Sequence, residues 1–216
     1  MSIAKLNRNR ILKAAIRLAD QGGIESLTMR KLARKLGVEA MSLYNHVANK
    51  NDLVEGMVDQ VLGEIELPED GDWDGAIRRC AISAHEAFLR HPWACGLVIG
   101  STSPRIADNP RVRYMNWLLG RLREAGFSPE LTYHAYHALD SHILGFTLWE
   151  LGHQGAAQGL DESVMAGLLE RLHDNDLPHL AEHAEQHLAG GVGEENEFDF
   201  ALDLILESLN RARTSS

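Results

Sequence analysis

Cysteine is scarce: Cys80 and Cys95 are the only two in 216 residues, and they form no CxxC. That excludes a disulfide framework and predicts a reducing, cytoplasmic setting. Long apolar runs are missing as well. None approaches the roughly 18 to 20 residues needed to span a bilayer; the richest stretch is Trp93 to Gly100. No apolar segment follows the opening MSIAKLNRNR, so neither a secretory leader nor a membrane anchor is expected. Alternating β-branched residues, internal repeats and low-complexity tracts are also absent. So are the HExxH, P-loop and nucleophile-elbow patterns that mark common enzyme classes.

What is present is charge, unevenly placed. The chain carries a net charge of -10, which taken alone argues against a polyanionic partner. Residues 1–56, however, hold ten Lys/Arg against five Asp/Glu, a balance of +5. The remaining residues hold eleven against twenty-six, a balance of -15. Such asymmetry points to two jobs, with the basic part the candidate for phosphate contact.

The apolar spacing predicts an all-α chain. A first helix spans about Asn7 to Gln21, with Ile11, Ala14, Ala15 and Leu18 on one side and Gly22-Gly23 as its stop. Thr28 can cap a short second helix that ends at Gly37. A short third helix covers about Glu39 to His46, and Asn49 can cap a fourth that continues to about Glu66. The acidic, aperiodic segment Leu67 to Gly75 is the candidate domain boundary. Beyond it the spacing predicts helices from about Asp74 to His91 and after Pro92, then two opened by Asn109-Pro110 and Ser128-Pro129. The second of these is expected to end in the glycine-rich stretch Gly152 to Gly159. Less regular helices follow from Asp161 to Leu188, and a last one from Glu195 to Arg213.

Residues 28–46 have the layout of a helix-turn-helix. Only Leu43 and Val47 of the second short helix point inward, which leaves Ala40, Met41, Ser42, Tyr44, Asn45 and His46 outward for a major groove. The run GIESLTMRKLARKLGVEAMSLYNHVANKNDLVEGM, Gly23 to Met57, resembles the DNA-binding domain of the TetR family of bacterial transcriptional repressors. The Leu-Tyr-x-His-Val-x-x-Lys core from Leu43 to Lys50 carries that resemblance. It implies that Tyr44, His46 and Lys50 contact phosphates and that Thr28 caps its helix beside the backbone. It also implies that Arg30 reaches a guanine edge, which a guanidinium fork allows.

Residues 73 to 216 resemble, more loosely, the regulatory domain of the tetracycline-repressor type, through WDGAIRRCAISAHEAFLRHP, HILGFTLWE and EFDFALDLILESL. The implied architecture is an N-terminal three-helix DNA-binding domain (1–50) joined by a fourth helix (about 50–66) to a helical ligand-binding and dimerisation domain (67–216). A homodimer on a palindromic operator is implied too. Its interface would be Leu139, Ile143, Phe146 and Trp149 with Phe198, Leu202, Ile205, Leu206 and Leu209; the alternative is that both stripes are monomer core. The implied ligand pocket draws on Trp93, Met115, Leu118, Tyr133, His137 and Ser141. The family's metal histidine falls on Val98 and its ring-binding asparagine on Cys80, although Glu150 matches the family's acid. The inducer is therefore expected to be an apolar or aromatic small molecule other than tetracycline with magnesium.

Ten of eleven histidines lie after residue 84, with His134, His137 and His142 on one predicted helix and His179, His183 and His187 at i, i+4, i+8 on another. An i, i+4 pair can share one metal ion, so a metal-dependent enzyme is the rival reading. The second set lies among Glu182, Glu185 and Gln186 on a solvated face, and no metal or cofactor is expected.

Overall fold

Helix boundaries in the computed structural model follow local chemistry closely at the N-terminus. The structure describes residues 5–100, 109–157, 162–188 and 196–214. Helix α1 (Arg8–Gly22) is capped by Asn7, whose side chain accepts from the Arg10 N–H, and Gly23 ends it at φ 75°. Helix α2 (Met29–Leu36) is capped by Thr28, whose hydroxyl accepts from the Lys31 N–H at 3.2 Å. Gly37 closes it at φ 69°, ψ 34°, a left-handed conformation that strains any residue with a Cβ. The expected third helix shrinks to one turn, α3 (Ala40–Leu43), with Tyr44 to His46 continuing as turn. Asn49 caps α4 (Lys50–Leu62), which stops four residues short of the expected end at Gly63.

Leu32, Leu43, Val47, Leu53 and Met57 are fully buried against Ile11 and Ala15, so three short helices and α4 share one core. None of the three is long enough to stand alone in water. Helix α4 lies so close to α1 that a Cβ on Gly56 would come within 3.0 Å of the Arg8 and Leu12 side chains.

The second half is built from α5 (Trp73–Arg90), α6 (Pro92–Gly100), α7 (Pro110–Glu124), α8 (Pro129–Ala157), α9 (Glu162–Asp174), α10 (Pro178–Leu188) and α11 (Glu197–Thr214). Helix α8 ends at Ala157, inside the glycine-rich stretch where its end was expected, and α5, α7 and α11 pack along it. Helices α9 and α10 pair with each other. Among the described residues there is no strand, and no helix is long and apolar enough to cross a membrane.

Candidate nucleic-acid interface and regulatory cavity

The head formed by α1 to α4 presents one turn of helix to solvent. Leu43 and Val47 anchor it from below, while Met41 is 73% and Tyr44 44% exposed. Asn45, Lys50, Thr28 and Arg30 are exposed too. Ala40, Ser42 and His46 are half-buried, and Ala40 packs on the core, so the outward set is narrower than helical spacing implied. A single turn followed by a tighter one rotates these positions off the outer face.

Sequence reasoning missed the support beneath this turn. Arg8 meets Asp52 through two hydrogen bonds, 2.8 Å to Oδ1 and 2.9 Å to Oδ2, and donates to the His46 carbonyl at 3.1 Å. Asp52 Oδ2 also accepts from the Ala48 N–H at 2.8 Å. These bonds to Asp52 push the Arg8 pKa above its usual value. Arg8, which counted toward the free basic charge, thus holds the α3–α4 turn in place. On the other side of α1, Lys5, Arg10, Lys13 and Arg17 join Lys35 of α2 around an open cleft with no carboxylate in its lining.

In the second half, α4 to α8 enclose a small cavity of about 20 Å³, room for about one water. Leu62, Ile65, Ala84, Phe88, Val98, Met115, Ile143 and Leu144 supply its apolar walls, and one side is polar, with Arg111, Tyr114, Tyr136 and Asp140. The Tyr136 hydroxyl lies 3.5 Å from Asp140 Oδ2, and Arg111 donates to the Val98 carbonyl. Burial raises the Asp140 carboxyl pKa, opposed by Arg111 and by hydrogen bonds from Tyr136 and Tyr114. Burial likewise raises the Tyr136 hydroxyl to about 12 and the Tyr114 hydroxyl well above its usual value.

Of the six ligand residues expected from sequence, Met115 lines this cavity. Leu118 is fully buried core, and Tyr133, His137 and Ser141 are exposed along the outer side of α8. Trp93 sits at the joint with the head, its indole N–H donating to Asp20 Oδ1 at 2.7 Å. The polar wall was missed because Arg111, Tyr114, Tyr136 and Asp140 belong to two helices whose facing only packing decides. An acid at Asp140, four residues after Tyr136 in an apolar stretch, was the available signal.

The proposed dimer stripes divide similarly. Leu139, Ile143, Phe198, Leu202, Leu206 and Leu209 are buried within the protomer, and Phe146 and Ile205 are half-buried. The core alternative thus describes most of both stripes. Trp149 remains exposed, joined by Leu148, and α11 shows Phe200 at 57% and Leu204 at 53% exposure. Helical spacing identifies an apolar face, not whether it meets its own chain or a partner.

Glu150 faces His85: its Oε2 lies 3.1 Å from Nε2, while Nδ1 lies 2.8 Å from the Thr147 hydroxyl. The His85 ring stacks on Phe198, centroids 4.1 Å apart. His142 places Nε2 3.0 Å from the Phe198 carbonyl oxygen. Burial lowers both histidine pKa values, opposed at His85 first by Glu150 and at His142 by the Phe198 carbonyl. His134, His137, His179 and His183 are exposed, and the His187 side chain lies outside the described residues. Among the described residues no three His, Cys, Asp or Glu side chains gather as metal ligands.

Comparison with known proteins fits this geometry. Residues 11–57 match the family described as "Bacterial regulatory proteins, tetR family", and residues 66–212 match "Tetracyclin repressor-like, C-terminal domain". The chain is 33% identical to an HTH-type transcriptional regulator of Saccharopolyspora erythraea, over 82% of this chain and 74% of that protein. It is 32% identical to the class D tetracycline repressor protein of Escherichia coli, over 89% and 84% respectively. The crystal structure of the Streptomyces coelicolor TetR family protein ActR in complex with (S)-DNPA superposes with a TM-score of 0.74 at 27% identity, covering 97% of this chain and 99% of that one. The family matches over residues 11–57 and 66–212, together with these relatives, place this chain in the TetR family of transcriptional regulators, which bind DNA and are not enzymes.

Proposed function

We propose that the chain acts in the cytoplasm as a homodimeric repressor that holds a palindromic operator and releases it when a small molecule enters the cavity beside Asp140. The observation that carries this reading is the pairing of exposed Met41 and Tyr44 with buried Leu43 and Val47: the turn is anchored to the head and offered to a groove. Thr28, Arg30 and Lys50 flank it, where hydroxyl, guanidinium and ammonium groups can meet phosphates or a guanine edge. One such turn reads few bases. A twofold partner, seated on Trp149, Phe200 and Leu204, doubles the site and imposes a palindrome.

The cavity's one-sided polarity suits a largely apolar ligand with a hydrogen-bonding edge laid against Arg111, Tyr136 and Asp140. The relatives supply the precedent of small-molecule control, as a tetracycline repressor and as a protein crystallised with (S)-DNPA. Val98 and Cys80, which the resemblance sets at the metal-histidine and asparagine positions of the tetracycline-type site, are both buried, and Glu150 is engaged by His85. The reading is tested by selecting bound duplexes from a random DNA pool with the full chain. Enrichment of an inverted repeat is expected. Enrichment of a single half-site would remove the dimeric mode, and no enrichment would remove the reading altogether.

A further inference from the structure

Three segments meet where the head joins the rest of the chain. Asp20, near the end of α1, receives two donors on a single oxygen: Trp93 Nε1–H at 2.7 Å and His91 Nδ1 at 2.8 Å from Oδ1. A carboxylate only accepts, so His91 presents Nδ1–H to it. On its other side His91 places Nε2 3.5 Å from Glu64 Oε2, and Arg90 donates to that same oxygen at 3.2 Å. Glu64 lies two residues beyond α4, while Arg90, His91 and Trp93 form the corner from α5 into α6. The His91 and Trp93 side chains are buried, whereas the Glu64 and Arg90 side chains are 42% and 52% exposed, so the bonds to Asp20 are better shielded from water than the contacts at Glu64. Pro92, the first residue of α6, fixes the corner between them.

Apart from α1, each segment that enters this latch also walls the cavity. Leu62 and Ile65 bracket Glu64, Phe88 precedes Arg90 by two residues, and Val98 follows Trp93 by five along α6. The cavity holds about 20 Å³, whereas small-molecule sites run to about 300 Å³ or more. An occupant therefore has to displace walls, and three of those walls end in the latch. Helix α1 carries Arg8, which holds the His46 carbonyl of the recognition turn. A force on the latch thus reaches the reading surface along one helix.

We propose that Asp20 is the positioning residue that couples the cavity to the DNA-reading head, by clasping His91 and Trp93 of the α5–α6 corner to α1. The inference rests on the reading above that a cavity ligand controls DNA binding. Asp20 itself touches neither ligand nor DNA. Its loss uncouples the two sites rather than abolishing either.

The test replaces the unidentified ligand with a side chain that fills the cavity. Operator affinity is measured for the duplex selected by the natural chain, with Ala84→Phe introduced in the natural, Asp20→Ala and Asp20→Asn backgrounds. In the natural background Ala84→Phe is expected to weaken affinity about 30-fold, and in Asp20→Ala less than threefold, a non-additivity of the size expected for coupled sites. Asp20→Asn keeps an oxygen acceptor and is expected to restore most of the cost. Equal costs in all three backgrounds, or no cost in the natural one, overturn the proposal. An Asp20 that merely stabilises the fold would lower the melting temperature of Asp20→Ala and leave the cost of Ala84→Phe unchanged.

A second readout needs no DNA. The Trp93 indole N–H resonance, assigned with Trp93→Phe, is expected to move when the cavity is filled, and an unmoved resonance overturns the coupling. If Ala84→Phe does not fold, Leu144→Phe fills the same cavity from α8. If no duplex is selected, the proposed function fails while the resonance still decides the latch.

Discussion

The reading head and the regulatory half of this protein are both helical, yet they keep function in opposite places. In the head, short helices are capped by Asn7, Thr28 and Asn49 side chains and closed by Gly37, and the working residues stand outside the core. In the regulatory half the residues proposed to meet a ligand lie inward, Tyr114 and Tyr136 buried and Arg111 and Asp140 half-buried, on a wall assembled from α7 and α8 against α4, α5 and α6. A surface reader needs a rigid base and exposed polar groups. A ligand sensor needs interior polarity and walls that can shift between packings. Arg8 and Asp52 meet at 2.9 and 2.8 Å in the first region, and the Tyr136 hydroxyl lies 3.5 Å from Asp140 in the second.

The largest expected effect separates the two regions cleanly. Tyr44→Ala should lower operator affinity at least about 100-fold, as loss of a groove contact and its phosphate bond does, while leaving the melting temperature within a degree or two. Fluorescence anisotropy and a thermal melt check both, and an unchanged affinity would remove Tyr44 from the interface. Next, Leu204→Glu should shift the protein toward monomer by analytical ultracentrifugation and weaken the palindrome about 30-fold, since charge on an apolar contact face is costly to bury. A dimer that survives this change lies on another face.

Asp52→Ala should act on the head alone. Removing a carboxylate that accepts from Arg8 and the Ala48 N–H should weaken DNA binding about tenfold, in line with the 1.5 to 3 kcal/mol typical of hydrogen bonds to charged groups and with partial exposure at Arg8. A loss confined to the melting temperature would show the support to be structural only.

The smallest effect concerns acid and belongs to the regulatory half. The His85 and His142 pKa values are lowered in the folded state, so the unfolded chain binds more protons as pH falls below the ordinary histidine value of 6.5. Stability from these two rings is present above that pH and is lost on acidification. The α5–α8–α11 junction should therefore melt earlier at pH 5 than at pH 7, with His142→Phe flattening the trend. A pH-independent melt would contradict the buried neutral rings.

Legibility in the sequence follows the same division. Caps, the Gly37 turn and the Leu43 to Lys50 core are local features, and each was readable where it stands because a few neighbouring residues suffice to form it. Arg8 with Asp52 was not, being 44 residues apart. The cavity wall was hidden for a related reason: Tyr133, His137 and Ser141 share a helix with Tyr136 and Asp140, and one helical turn contains both the inside and the outside. Trp93 looked like a ligand residue because it is aromatic and near the pocket in sequence, but its indole N–H is committed to Asp20.

The -10 net charge, its division into a basic head and an acidic remainder, and the helical class were determined by sequence alone, because composition, periodicity and capping act over one or two turns, while the recognition turn was singled out by its resemblance to the TetR family. Tertiary structure decided which apolar stripe is core and which is bare, where Asp140 and Glu150 point, and that Asp20 joins α1 to α6. Those depend on how long helices rotate about their own axes when packed, a choice fixed by the sum of many distant contacts.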